Sequence, residues 1–317
     1  MIWPFGWKSN EVSAEPPKLD PATILRRARR LRFRVRPGAV SALAGVYHSA
    51  RPGIGLMFAE LRAYEPGDDV RHLDWNVTAR QGRPYVRRFV EERALTLWLI
   101  LDVSASLRFG IEGQTKADRA AQAATLLASA AVANGDRVRL TLVSDRVEAE
   151  VPSGSGNRHL ARIVRALVAT PTVSRGTDPA VALRQVRQGP RRALVILFSD
   201  FLASAAEPFP SSTWRRTARA NEFLAIRPVD PREEQLPVAG LVALKDAESG
   251  ARLTVDSGSS RVRAAYEQAA NERRAAFRRW CSQVGAEGYD LPTAADPIGT
   301  LIRIFDGRSS RRGRGPS

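Results

Sequence analysis

The segment LTLWLILDVSASLRFG, residues 95–110, constrains the fold of this chain more than any other. Its first seven residues carry no charge and no alternation of polarity, so both faces of a strand built from them must be covered. A strand of this kind belongs in the middle of a parallel sheet, and such sheets place ligand-binding side chains just past the carboxyl ends of their strands. Asp102, Ser104 and Ser106 stand there. Alternate spacing in a tight loop lets their oxygens converge on one point, and an all-oxygen set suits a hard cation such as Mg²⁺ or Mn²⁺. The same triplet also fits an ordinary capped turn from strand to helix, since Asp and Ser both begin helices well.

Two further segments add oxygen donors of the same kind. In GTDPAVALRQV, Thr177 precedes Asp178 and Pro179, a capping residue followed by proline at the first helical position, which puts Thr177 in a loop entering a helix. RRALVILFSDF is another buried-strand run, and it too ends in a carboxylate, Asp200. The candidate metal ligands are therefore Asp102, Ser104, Ser106, Thr177 and Asp200. Their order, Asp-x-Ser-x-Ser, then Thr, then Asp, resembles the metal-ion-dependent adhesion site of von Willebrand factor A domains.

The upstream stretch FAELRAYEPGDDVRHLDWNVTARQGRPYVRRFVEERALTLWLILDVSAS resembles the short, soluble form of the bacterial domain-of-unknown-function family 58. RVEAEVPSGSGNRHLARIVRAL, DPREEQLPVAGLVALKDAESGARLTVD and the arginine-rich end are similar to that family as well, so the resemblance runs from about residue 25 to the end. It implies a von Willebrand A-like α/β fold, a Rossmann-like, mostly parallel sheet flanked by helices, with an N-terminal mainly β extension. It also implies association with MoxR-type AAA ATPases in complex assembly or maturation, and no known reaction. Longer relatives carry transmembrane segments near the N-terminus, and this chain departs from them there.

Bulk properties narrow the function classes. With 317 residues, 44% hydrophobic and 26% charged, there is room for one α/β core and an appended module. No apolar run approaches the roughly 20 residues a membrane helix needs. MIWPFGWK is too short for the apolar core of a signal peptide, and the lone Cys281 leaves no internal disulfide, so a reducing cytoplasm is expected. A formal net charge of +16 invites a polyanion partner, because a concentrated basic patch gains affinity by releasing counterions from phosphates. The distribution argues against nucleic acid: of 49 basic residues only Lys8, Lys18, Lys116 and Lys245 are lysines, and arginines spread along the whole chain. The amphipathic ILRRARRLRFRVR at 24–36 leaves a peripheral membrane contact open.

The organisation expected is a disordered 1–20, then a basic helix and β-rich extension over 21–93, with the helix near 21–35. Residues 40–93 read as strands and turns such as Glu65-Pro66-Gly67-Asp68 rather than helix. The A-like domain spans 94–306 with a hairpin insertion at 238–256, a long helix at 260–284 and a final helix near 296–306, before a disordered basic tail at 307–317. KADRAAQAATLLASAAVANG is a helix stopped by Asn134-Gly135.

Within EPGDDVRHLDWN, His72 beside Asp74 suggests acid–base chemistry, but Asp68, Asp69, Arg71 and Asp74 read better as ion pairs and hydrogen bonds that hold the extension. SGSGN lacks the Lys and Ser/Thr of a phosphate loop and reads as a turn. His159, on an amphipathic helix, reads as a surface or core histidine rather than a ligand, and Cys281 as an inert packed thiol. The expected function is a non-enzymatic, Mg²⁺- or Mn²⁺-dependent interaction protein, with a MoxR-type ATPase as partner and a client that supplies a carboxylate to the metal. The competing readings are a metal-dependent hydrolase using the same site and a basic protein that binds nucleic acid or anionic membrane.

Overall fold

The computed structural model describes residues 37–49, 57–66, 68, 73–90, 95–111, 114–170, 181, 193–202, 211–247 and 251–312. The expected basic helix at 21–35, the expected disordered start at 1–20, residues 313–317 of the tail expected to be disordered over 307–317, Asp69, Arg71, His72, Thr177 and the turn at 248–250 lie outside them, while residues 307–312 of that tail are helical.

In chain order, α1 is Pro37–Ser49, β1 Met57–Ala63, α2 Trp75–Gln81 and β2 Tyr85–Val90. β3 is Thr96–Asp102, followed by a 3₁₀ turn at Ala105–Arg108, the short pair β4 (Gly110–Ile111) and β5 (Gln114–Thr115), and α3, Lys116–Ala133. Next come β6 (Arg137–Val143), β7 (Val147–Gly154), α4 (Gly156–Ala169), β8 (Leu194–Phe198), α5 (Ser211–Ala220) and β9 (Glu222–Val229). The short α6 (Pro231–Glu234) leads to β10 (Leu241–Lys245), β11 (Arg252–Asp256), the long α7 (Ser260–Val284), β12 (Glu287–Pro292) and α8 (Pro297–Arg312).

Six strands form one sheet in the order β12-β9-β8-β3-β6-β7, and only β7 runs antiparallel to its neighbour. The apolar run of β3 has the expected cause. Leu97, Leu99 and Leu101 face a core shared with α1, α3 and α8, while Trp98 and Ile100 face a second core with Trp214 of α5 and Val284 of α7. Because successive side chains alternate faces and both faces are covered, neither parity admits a charge. Six alanines of α3, Ala120, Ala123, Ala124, Ala128, Ala130 and Ala131, are buried and let the helix lie close on the sheet. Thr115 and Asp118 form a reciprocal capping box at its start, and Gly135, at φ 76°, follows its last turn.

The extension departs from the strand-only expectation. Pro37–Ser49 is a helix because Val40, Leu43, Ala44 and Tyr47 recur at helical spacing. Leu43 and Tyr47 are fully buried, with the Tyr47 ring centroid 5.6 Å from that of Phe305 in α8. Asn134 Nδ2 donates to the carbonyl of Ala44 at 3.0 Å. Trp75–Gln81 is helical too, because Asp74 caps it by accepting from the N–H groups of Asn76 and Val77 at 3.1 and 3.2 Å. β1 and β2 pair antiparallel with α2 between them in the chain, and Arg62 holds Asp68 at 2.6 Å.

At the other end, α8 runs to Arg312, beyond the expected stop near 306. Arg308 is 2% exposed and donates at 2.9 Å to both Glu222 and Glu287, so the helix has a buried reason to continue. The insertion hairpin and the helix over 260–284 stand where the periodicity puts them. Among the described residues, no helix is long and apolar enough to cross a membrane.

Candidate functional site

The chain leaves β3 through α3 on one face of the sheet and leaves β8 through α5 on the other. β3 and β8 are neighbours, so the crevice past their carboxyl ends is the topological switch point at which open α/β sheets hold ligands. Asp102 is the last residue of β3, and Ser199 and Asp200 follow directly on β8.

At the β3 end, Asp102 is 3% exposed and its carboxylate accepts hydrogen bonds from protein groups. Oδ1 accepts from the N–H of Ser104 at 2.8 Å, and Oδ2 accepts from the hydroxyl of Ser199 at 2.8 Å. The hydroxyls of Ser104 and Ser106, both buried in the following turn, lie 3.2 Å apart. Burial, and then the charge of Asp200, push the Asp102 carboxyl up to about 6 against the pull of these hydrogen bonds. Among the described residues no ammonium or guanidinium ion-pairs with it.

At the β8 end the chemistry is different. Asp200 Oδ2 accepts from Lys116 Nζ at 2.7 Å, and the same ammonium reaches Glu233 Oε1 of α6 at 2.7 Å. The Lys116 side chain is fully buried. Burial alone would lower the lysine, but the carboxylates of Asp200 and Glu233 together outweigh it and hold the ammonium above its usual range. Burial lifts the Glu233 carboxyl, with Lys116 pulling against it. The Phe109 ring lies over the pair of cations, 5.9 Å from Lys116 Nζ and 5.5 Å from the Arg232 guanidinium. Behind Asp200 and Glu233 an apolar cavity opens between the hairpin and α7, lined by Leu244, Leu253, Val255 and Tyr266.

Of the five residues expected from the sequence, four therefore meet at one edge, and Thr177 falls outside the described residues. Sequence reasoning missed Ser199, Lys116 and Glu233. Lys116 had a legible signal, being a cation at the first residue of a helix, where the macrodipole disfavours it, and one of four lysines in an arginine-rich chain. Glu233 had none, because it lies 117 residues from its partner.

The donor set fits a hard cation. It offers carboxylates and neutral hydroxyls without His or Cys, and the described residues hold no cluster of three or more His, Cys, Asp or Glu that could cage a metal by itself. Such a set suits an ion that retains water, not a thiolate or imidazole metal. The other candidates are structural. His159 is buried with Nε2 2.7 Å from the carbonyl of Val138, and burial pushes the Cys281 thiol up to about 12, out of reach of nucleophilic chemistry at neutral pH.

The model of the family described as "Protein of unknown function DUF58" matches residues 60–276. Uncharacterised proteins of Mycobacterium tuberculosis and Mycobacterium bovis are each 33% identical over 304 residues, covering 93% of this chain and 92% of theirs. Among solved structures, the conserved hypothetical protein BatB of Bacteroides thetaiotaomicron aligns with 70% of this chain and 100% of its own, at 14% identity and a TM-score of 0.40. Proximal thread matrix protein 1 of the mussel byssus, in a structure titled with a zinc-occupied MIDAS motif, aligns with 68% of this chain and 48% of its own, at 15% identity and a TM-score of 0.39.

Proposed function

This chain belongs to the DUF58 family of proteins of unknown function, and from that premise we propose that it is a metal-dependent protein–protein interaction module of the von Willebrand A type, without a catalytic reaction of its own. The observation that carries the reading is Asp102, a buried carboxylate at the switch point, held by the Ser104 N–H and by serine hydroxyls and left without a described cationic partner. In this reading Asp102, Ser104 and Ser106 hold Mg²⁺ or Mn²⁺, and Thr177 and Asp200 contribute directly or through water. A bound hard cation supplies an electrophilic position that a carboxylate from another chain completes.

The protein's own residues prepare that position. Ser199 and the Ser104 N–H fix both oxygens of Asp102, so the carboxylate presents one orientation. The hydroxyls of Ser104 and Ser106 add oxygens without adding charge, which leaves positive charge for a partner carboxylate to meet. The partner class we propose is a MoxR-type AAA ATPase with a client that supplies the carboxylate, in the cytoplasm.

Calorimetric titration of Mn²⁺ and Mg²⁺ into the full chain tests the site. One ion should bind the wild type, and Asp102→Ala, checked for fold by circular dichroism, should bind at least about tenfold more weakly. Equal binding by both proteins would remove the assignment. Co-purification with a co-expressed MoxR-type AAA ATPase should weaken in chelator, and an association indifferent to chelator would put the contact on another surface.

A further inference from the structure

The Lys116 ammonium is in an expensive place. It sits at the first residue of α3, where the helix dipole repels a cation, and it is fully buried under Phe109. Two carboxylates at equal distance, 2.7 Å to Asp200 and 2.7 Å to Glu233, stabilise it there. Lys116 neutralises one of these two carboxylates, and with the unpaired Asp102 close by, the three buried carboxylates and one ammonium leave two negative charges, the charge of one divalent ion.

We propose that Lys116 is a tethered cation that competes with the divalent ion for Asp200, and that Glu233 is the seat that keeps the ammonium when Asp200 is released. The inference rests on the metal reading above and adds the residues that set its affinity. The two seats differ in how they are anchored. Asp200 Oδ1 is held by the N–H of Leu202 at 3.1 Å, so the carboxylate keeps its place when Oδ2 is given up. Glu233 belongs to α6, whose start is capped by Asp230 and whose Glu233 carbonyl accepts from Arg273 at 3.0 Å, so it stays within reach of Lys116 without help from β8. Moving from two acceptors to one costs the ammonium a single charge-assisted hydrogen bond and no exposure to water. Lys116 thereby balances the site's buried carboxylates, and metal affinity is held down until a partner's carboxylate adds its own bond.

The test is calorimetric titration of Mn²⁺ into the full-length wild type, Lys116→Met, Glu233→Gln and Arg232→Gln at one pH. Lys116→Met should bind about tenfold tighter or more, because a positive charge within a few ångströms of the site is gone. Glu233→Gln should bind about threefold weaker or more, since the ammonium then has only Asp200. Arg232→Gln, which removes a nearby cation paired to Asp230 instead, should stay within about twofold of wild type.

Unchanged or weaker binding by Lys116→Met, with wild type still binding, overturns the competition and leaves the metal site standing. Tightening by Arg232→Gln as large as that of Lys116→Met overturns it as well, because the effect is then diffuse charge. Absence of binding in all four proteins removes the metal reading itself and this inference with it. Should Lys116→Met lose its fold in chelator, Glu233→Gln decides by its sign, and recovery of the Lys116→Met circular dichroism on adding Mn²⁺ supports the proposal.

Discussion

Asp102 at the end of β3 and Asp200 just past the end of β8 are 3% and 5% exposed, one strand apart, and the protein meets their charges by opposite means. Asp102 receives an N–H and a hydroxyl, groups that bring dipoles without net charge. Asp200 receives an ammonium, which cancels it. The difference teaches which carboxylate is available. A charge solvated by dipoles remains open to a cation from outside, whereas an ion-paired one must first give up its partner.

The largest expected effect breaks the paired end. Lys116→Met leaves Asp200 and Glu233 buried without a cation, and in chelator at neutral pH it should cost about 3–5 kcal/mol of stability in urea unfolding. A loss below about 1 kcal/mol would mean that the two strand ends are electrostatically alike.

A pH comparison sharpens the unpaired end. Asp102 titrates at about 6 in the folded protein against 3.8 for a free aspartate, so between these values the folded state keeps a proton that the unfolded chain has released. Stability contributed at Asp102 is therefore present below about pH 4 and lost as pH rises through 6, in total about 3 kcal/mol. Urea unfolding of wild type and Asp102→Asn in chelator, from pH 4 to 7, should show a difference that changes by about that amount. Parallel pH profiles would show that Asp102 is already compensated.

The smallest effect concerns the hydroxyl between the ends. Ser199→Ala removes the 2.8 Å donor to Asp102 Oδ2 and should cost about 1–2 kcal/mol at pH 7 while moving the Asp102 titration upward. The Lys116 pair, which Ser199 does not touch, should keep its own contribution, measurable by repeating Lys116→Met in the Ser199→Ala background.

Much of this was legible in the chain. The uninterrupted apolar runs of β3 and β8 announced a doubly covered parallel sheet, since no other environment accepts Trp98 and Leu99 on opposite faces at once. The helix of α3 was readable from its alanines and its Asn134-Gly135 stop, and the hairpin at 241–256 from its alternation. The helix at 37–49 was legible in principle from Val40, Leu43, Ala44 and Tyr47, but glycines and aromatics nearby pointed to turns and strands. Burial against α3 and α8 settled it in favour of helix. α8 reaches Arg312 for a related reason, because Arg308 is paid for by Glu222 and Glu287, residues whose proximity no local pattern encodes.

The sequence by itself determined which side chains end the central strands, because the residue after an apolar run must stand where the strand leaves the core. Asp102, Ser104, Ser106 and Asp200 follow from that periodicity alone. Only the tertiary structure decided their electrostatic states. Those depend on what packs against each carboxylate across the edge: Ser199 from 97 residues away for Asp102, and Lys116 from 84 residues away for Asp200. Coulomb and hydrogen-bond energies act through distance in space, and distance in space between remote segments is set by the fold.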